Sequence, residues 1–150
     1  MKLSKRSEYG LKALIELATY YGQGVVTVPQ MAQKHHISAK FLELILLDLR
    51  HAGIVHSRQG VHGGYYLAAP PEQIIIGQVV RILDGTIAPI RCVSKMSYER
   101  CTCPDEERCE LRLIMLKVRN AIADVLDNIS LADVVQNALD HAVRAVDVCD

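Results

Sequence analysis

Long apolar runs and most aromatic residues are missing from this chain, which has no tryptophan, one phenylalanine and six tyrosines in 150 residues. A membrane-spanning helix needs about 20 mostly apolar residues in a row, and no stretch approaches that length. A secretory signal is not expected either, because charges at Arg6, Glu8, Lys12 and Glu16 interrupt the N-terminal segment. We therefore expect a cytoplasmic protein with no membrane partner.

The motifs of several enzyme classes are also absent. The sequence has no Cys-x-x-Cys, no phosphate-binding Walker loop, no zinc-protease motif and no evident pair of catalytic carboxylates. The net charge is zero, but residues 1–60 carry eight Lys and Arg against four Asp and Glu, whereas residues 91–150 carry eight against eleven. The sequence therefore argues against an enzyme, and its basic first part gives weak support for a nucleic-acid partner.

Cysteine is scarce except in one loop, where Cys92, Cys101, Cys103 and Cys109 fall within eighteen residues, while Cys149 stands apart. Thiolates select zinc or iron–sulfur clusters over hard cations. Disulfides need an oxidising compartment, so clustered cysteines in an intracellular chain favour metal binding or redox sensing over inert thiols. Four cysteines could hold zinc, but the one-residue gap between Cys101 and Cys103 is tighter than zinc sites usually show. An iron–sulfur cluster is thus favoured, with a zinc site or a metal-free thiol switch as the alternatives.

The first part of the chain predicts a helix-turn-helix followed by a wing. Helices are expected over residues 7–21, from Pro29 to about His36, and for about twelve residues after an N-cap at Ser38. Strands at 54–58 and 65–68 flank a glycine-rich turn, which is typical of a hairpin. The predicted buried stripes are Leu11, Leu14, Ile15 and Ala18 on the first helix, with Glu16 outside the stripe, and Leu42, Ile45, Leu46 and Leu49 on the third.

This order of elements predicts DNA binding, although a solvated helix face or a plain turn would explain each piece by itself. The third helix should enter the major groove, and the wing should lie along the minor groove or the phosphates. The predicted DNA-contacting residues are Ser38, Ala39, Lys40 and Glu43 on the helix, Arg58, Gln59 and His62 on the wing, and Ser4 and Lys5 at phosphate.

The second part of the chain predicts a short helix over residues 77–83, a long helix starting at about Cys109, and a last helix over 131–138. The long helix carries apolar residues at alternating spacings of four and three, which suits helix-on-helix packing. We expect this seam to form a dimer interface, and packing on the chain's own core is the alternative. The seam consists of Leu111, Met115, Val118, Ile122, Val125 and Ile129.

The expected fold is mainly α with a small β-hairpin, namely a winged helix-turn-helix followed by a long dimerisation helix. Residues 1–70 should form the DNA-binding unit and 71–90 a connecting helix. Residues 91–109 should form the cysteine-rich loop, and 110–150 the dimerisation helix with a C-terminal helix and tail.

Six stretches carry a resemblance to a known family: residues 1–4, 9–14, 37–42, 49–53, 60–65 and 109–111. They resemble the winged-helix regulators that include the iron–sulfur cluster regulator IscR and the nitric-oxide-sensing repressor NsrR. The resemblance covers roughly residues 1–130. It implies a homodimeric transcription regulator that binds a near-palindromic operator in double-stranded DNA. It also implies an iron–sulfur cluster as the sensing element in members that keep the cysteines.

The cysteine spacing departs from this family, whose cluster-binding members usually leave five residues in each of two gaps. Cys103 and Cys109 keep that gap, but ten residues separate Cys92 from Cys103, and Cys101 competes for the middle role. One branch of the family places a ligating histidine where this chain has Arg112.

Another branch takes its fourth ligand from an acid in the first helix of the partner subunit, and Glu8 occupies the matching position. An exposed pair with Lys12 is the alternative role of Glu8. The resemblance thus implies Cys92, Cys103, Cys109 and Glu8 as ligands, with Cys101 able to replace Cys103. A 2Fe-2S cluster is favoured over a 4Fe-4S cluster.

Overall fold

A computed structural model describes residues 2–137 of the chain, in which helices predominate. The helices are α1 (Lys5–Thr19), α2 (Val28–His35), α3 (Ala39–His51), α4 (Ile76–Asp84) and α5 (Glu110–Leu126), and residues 131–137 are also helical. Strands β1 (Val55–Arg58) and β2 (Gly64–Leu67) form one antiparallel hairpin. Single 3-10 turns lie at Pro71–Gln73 and Arg91–Val93. The expected class, mainly α with a β-hairpin, is confirmed.

Side-chain caps fix where the first three helices begin. Ser4 accepts a hydrogen bond from the Ser7 backbone N–H at 3.1 Å, so α1 starts two residues earlier than expected. Thr27 and Gln30 form a reciprocal capping box at the start of α2. His36 then adopts a left-handed conformation with φ of 53°, and Ser38 caps α3 as predicted. The short, sharply turned link between α2 and α3 is what the helix-turn-helix requires.

The core lies among α1, α3 and α4, and α3 contributes its predicted stripe. Its four leucine and isoleucine positions, Leu42, Ile45, Leu46 and Leu49, are each at most 1% exposed. On α1 the fully buried positions include Ala13 and Leu14, whereas Leu11 and Ile15 are only partly buried against the core. Glu16 was expected outside the apolar stripe but is only 7% exposed, because α2 packs over it and brings the ammonium group of Lys34 onto its carboxylate.

The hairpin is held against the helices by an extra backbone bridge. Val26 and Tyr65 exchange two N–H···O bonds of 2.9 Å, so the segment before α2 pairs with β2. Gly64 is needed for this approach, since a Cβ there would lie 2.6 Å from the Val26 carbonyl oxygen. At the tip, Gly60 has φ of 106°, which favours glycine. The glycines of the predicted wing thus shape its turn and its attachment.

After α5 the chain folds back onto the core. Arg81 on α4 donates two hydrogen bonds, of 2.5 and 2.9 Å, to Asp127 just beyond the end of α5. The backbone N–H of Ile76 donates to the carbonyl of Ile129 at 3.0 Å, and Leu131 is fully buried. Ile129 therefore lies beyond α5, which ends at Leu126, and it is not part of a helical seam.

Some expectations lie outside the described residues. These are the end of the last helix at Ala138, the tail of the 110–150 unit, Cys149, and Met1 in the first matched stretch. Within residues 2–137, no helix combines the length and the apolar character that crossing a bilayer would require.

Candidate functional site

Two separate surfaces are candidates for function, and the first is the outer face of α3 with the wing. Ser38, Ala39, Lys40 and Glu43 are all exposed at the first turns of α3. On the hairpin, Arg58, Gln59 and His62 are exposed, and Val61 at the tip is 96% exposed. The helix and the wing thus present polar and basic groups that are free of the core, as contact with DNA requires.

Ion pairs and hydrogen bonds orient this surface. Arg6 on α1 pairs with Asp48 on α3. Arg50, near the end of α3, donates a hydrogen bond to the Ser57 hydroxyl on β1 at 3.0 Å, which links the recognition helix to the wing. Arg50 carries no distinguishing signal in the sequence, because a basic residue in the last turn of a helix is also an ordinary partner of the helix dipole.

The two N-terminal residues predicted to contact phosphate, Ser4 and Lys5, differ in how strongly other groups of the chain already bind them. Lys5 is exposed and pairs with Glu8 at 2.7 Å. Ser4 is engaged inside the chain, because its backbone N–H and its hydroxyl both donate to the Asp84 carboxylate. Its hydroxyl also caps α1, so Ser4 could reach a phosphate only by giving up one of these bonds.

The second surface is the cysteine loop, where the four thiols come together as two neighbouring pairs. The sulfurs of Cys103 and Cys109 are 3.6 Å apart. Cys92 and Cys101 form a group with the Glu106 carboxylate, in which the ligand atoms lie within 4.8 Å of one another. All four cysteines are free thiols, with Cys92 buried and the others half-buried. Such a soft donor set fits a thiolate-ligated metal centre.

Glu106 is the member of this group that the sequence argument missed. Both of its carboxylate oxygens accept from the Tyr98 hydroxyl at 2.8 Å, and Arg112 lies 3.4 Å away. Arg112 also donates to the backbone carbonyl of Cys92 at 3.4 Å. The arginine that stands in place of a ligating histidine thus ties Glu106 to Cys92. An acid three residues before Cys109 was the available signal, but it lies in a run of three acids.

The thiols titrate differently because their surroundings differ. Hydrogen bonding with Cys101 and Cys109 raises the pKa of the Cys103 thiol to about 12. Burial and the neighbouring Cys101 raise the pKa of Cys92. Cys109 makes no capping hydrogen bond that meets the usual geometry, but the backbone N–H of Arg112 at the start of α5 lowers its pKa. Of these three thiols, Cys109 is the one whose thiolate the surroundings favour.

Glu8 lies apart from this group in its own chain. It bonds to Lys5 at 2.7 Å and to Lys12 at 3.0 Å, so the exposed pair given as its alternative role is present. Hydrogen bonds from these two lysines lower the pKa of its carboxyl group. Within residues 2–137, the group that could ligate a metal contains Glu106 and not Glu8.

The predicted seam on α5 is divided between two faces. Ile122 packs against the core of its own chain, and Met115 is half-buried. Leu111, Val118 and Val125 are exposed, and they share their face with Ile114, which the sequence argument left out. The exposed positions again alternate in spacings of three and four, once Ala121 is included. The apolar stripe that is available to another molecule is therefore Leu111, Ile114, Val118, Ala121 and Val125, which we call the α5 stripe.

A helix-turn-helix followed by a hairpin wing, with an exposed face on the recognition helix, defines the winged-helix class of DNA-binding regulators. The chain belongs to the Rrf2 family, described as iron-dependent transcriptional regulators, whose profile matches residues 3–137. This protein is thus a transcription regulator and not an enzyme, in agreement with the sequence prediction.

Individual members of the family support this assignment. The regulator CymR of Bacillus subtilis is 35% identical over 133 residues, covering 89% of this chain and 88% of that protein. The structure of CymR, described as the global cysteine regulator of B. subtilis, covers 91% of this chain and 98% of its own, with 33% identity and a TM-score of 0.77. The structure of IscR from T. potens covers 92% of this chain and 88% of its own, with 32% identity and a TM-score of 0.73.

Proposed function

We propose that the protein is a homodimeric DNA-binding regulator whose affinity for its operator depends on an iron–sulfur cluster in the cysteine loop. The observation that carries this proposal is the meeting of four free thiols within one loop of an Rrf2-family chain. A regulator of this kind acts where the chromosome is, so we place it in the cytoplasm.

Cys92, Cys103 and Cys109 are the proposed cluster ligands, with Cys101 able to replace Cys103. A bound cluster would supply one-electron redox chemistry and sensitivity to oxidants. Glu8 of the partner subunit is the proposed fourth ligand. To ligate the cluster, its carboxylate must give up its ion pairs with Lys5 and Lys12. Glu106 already lies beside Cys92 and Cys101, which makes it the competing carboxylate. We favour a 2Fe-2S over a 4Fe-4S cluster, since a mixed carboxylate and thiolate set suits it at least as well.

The α5 stripe supports the homodimer. Leu111, Ile114 and Val125 are each more than half exposed, although they are large and apolar. Exposed apolar residues in a continuous heptad-like row mark a helix-packing surface. In a two-fold dimer, the recognition helices would then meet half-sites about 34 Å apart, or a multiple of that, on a near-palindromic operator.

The cluster is tested by anaerobic purification with an absorption spectrum and a count of iron and sulfide. We expect visible absorption and both elements in wild type, and their loss in Cys109→Ala. Glu8→Ala should weaken cluster retention, whereas Glu106→Gln should do so if the neighbouring carboxylate is the ligand instead. Stoichiometric zinc without iron or sulfide in anaerobically prepared protein would contradict the cluster.

DNA binding is tested by operator affinity as a function of salt. Lys5→Ala removes a predicted phosphate contact, and Lys40→Ala removes a cation from the predicted recognition helix. Each should weaken operator binding and flatten its salt dependence, Lys5→Ala by about one ion and equally for all sequences. Lys117→Ala is the matched control, because Lys117 is an exposed lysine on α5, away from the wing and α3. Unchanged affinity and salt slope in both test variants would show that this docking is wrong.

A second candidate function is a regulator that senses thiol oxidation without a cluster. The 3.6 Å separation of the Cys103 and Cys109 sulfurs favours it, since a small movement would bring them to disulfide distance. Metal-free protein treated with a peroxide should then form this disulfide, detected by peptide mass spectrometry, and should change its operator affinity. Cys101→Ala is the control that leaves the pair intact.

A further inference from the structure

Arg119, in the middle of α5, is a buried cation to which residues 2–137 offer no ion-pair or hydrogen-bond partner. Its side chain is only 9% exposed, and its Nε has no hydrogen-bond acceptor among the described residues. The other half-buried arginines of this region have carboxylate partners, as Arg81 has Asp127 and Arg112 has Glu106. A buried guanidinium N–H that has no acceptor is unfavourable. Arg119 thus offers a buried donor that a ligand oxygen could accept from.

A cavity of about 270 Å³ lies beside this guanidinium. Its walls come from α4 and the segment after it, from the cysteine loop, and from α5. It is open to solvent on one side, where Met96 is 64% exposed, and it has room for a small molecule. Ile87 and Met96 add apolar wall to the polar side formed by Arg119 and Asn120.

The charges around the cavity select the ligand's chemistry. Arg81, Lys95 and Arg119 are cationic, whereas Asp124 and Asp127 are anionic. Arg81 and Asp127 neutralise each other through their paired hydrogen bonds. Lys95 and Arg119 then face Asp124, which leaves one net positive charge. A monoanion balances that charge, whereas a phosphate dianion would meet repulsion from the carboxylates.

We propose that this cavity binds a small monocarboxylate, which Arg119 holds through its guanidinium. The planar fork of an arginine matches the two oxygens of a carboxylate. A short apolar tail would lie against Ile87 and Met96. The site is separate from the α5 stripe, because Arg119 follows Val118 by one residue and so points about 100° away around the helix axis.

The site also adjoins the cysteine loop. Lys95 and Met96 follow Cys92 by three and four residues, and the loop is fastened to the end of α4 by a 2.9 Å hydrogen bond between Thr86 and Ser94. A bound carboxylate would therefore add a contact among α4, α5 and this loop. Through that contact the ligand would influence the position of the cysteine loop, whether or not a metal is bound.

The test is a titration of metal-free, full-length protein with sodium propionate at constant ionic strength, followed by NMR line broadening and by thermal unfolding. Methyl propionate serves as the neutral probe and inorganic phosphate as the dianion. We expect saturable binding of propionate alone, about tenfold to a hundredfold weaker in Arg119→Met, since charged hydrogen bonds are lost. Lys117→Met, an equal loss of charge at an exposed site on the same helix, should bind like wild type.

Three results would overturn the inference. The first is an absence of saturable propionate binding in wild type. The second is binding of phosphate or methyl propionate as tight as that of propionate. The third is a folded Arg119→Met variant that no longer sediments as a dimer, because the missing anion would then be a carboxylate of a second copy. Without ligand, Arg119→Met should unfold at the same or a higher temperature, since an unpaired buried charge has been removed.

Discussion

The α5 stripe leads to a prediction about assembly that a single substitution tests. Val118 lies at the centre of the stripe and is 39% exposed, so it is open to a partner while its Cα remains fixed in the middle of α5. Val118→Asp should convert the proposed dimer into folded monomers. Ile122 is unsuitable for this purpose, because it packs against the core of its own chain and a charge there should unfold the protein.

The magnitude follows from the exposed area of the stripe. Leu111, Ile114, Val118 and Val125 are 57, 57, 39 and 58% exposed, which amounts to about two whole apolar side chains per protomer. At about 1.5–3 kcal/mol per side chain, a dimer would gain roughly 6–12 kcal/mol from burying both copies. Association itself opposes this by an estimated 4–15 kcal/mol, so little excess remains. Two aspartates buried in such an interface should therefore weaken the dimer at least about a hundredfold, or ~2.7 kcal/mol.

Sedimentation velocity over a range of protein concentrations measures this dissociation constant. Circular dichroism checks that Val118→Asp is folded. Lys117→Asp is the matched control, since it introduces the same side chain one position away on an exposed, polar part of α5. The variant should also lose its preference for a full operator over a single half-site. A folded Val118→Asp protein with the dissociation constant of wild type would refute α5 as the interface.

Three further predictions concern the cysteine loop, the wing, and the ion pair between Arg81 on α4 and Asp127 after α5. Cys103→Ala should reduce the visible absorption of anaerobically prepared protein more than Cys101→Ala, and equal losses would show that both thiols are ligands. Gly64→Ala places a methyl group 2.6 Å from a carbonyl oxygen. It should lower the free energy of unfolding by about 1–3 kcal/mol and weaken operator binding, as measured by urea titration and fluorescence anisotropy. The Arg81 guanidinium lowers the pKa of Asp127 below its ordinary 3.8. The stability that this pair adds is therefore present above pH 3.8 and is lost as the pH falls through the lowered pKa. Urea unfolding of wild type and Arg81→Gln should differ by up to about 1 kcal/mol at pH 7 and converge in acid.

Local signals in the sequence were sufficient for most of the fold. The N-cap at Ser38, the stripe from Leu42 to Leu49 and the glycines of the wing predicted α3 and the hairpin, because caps, helical period and turn residues act over a few positions. The same signals placed α4 and the start of α5. The C-terminal end of α5 was less well predicted, because Ile129 continues the apolar spacing although the helix has already ended at Leu126.

The sequence by itself thus determined the order of elements, the family resemblance and the four cysteines as one group. The tertiary structure alone decided which side of each helix is covered, because that depends on what packs against it from distant parts of the chain. It buried Glu16 beneath α2, turned Ile122 inward while leaving Val118 outside, and brought Glu106 to Cys92 and Cys101. It also enclosed Arg119 beside a cavity, and no local spacing in the sequence marks that residue as different from its exposed neighbours.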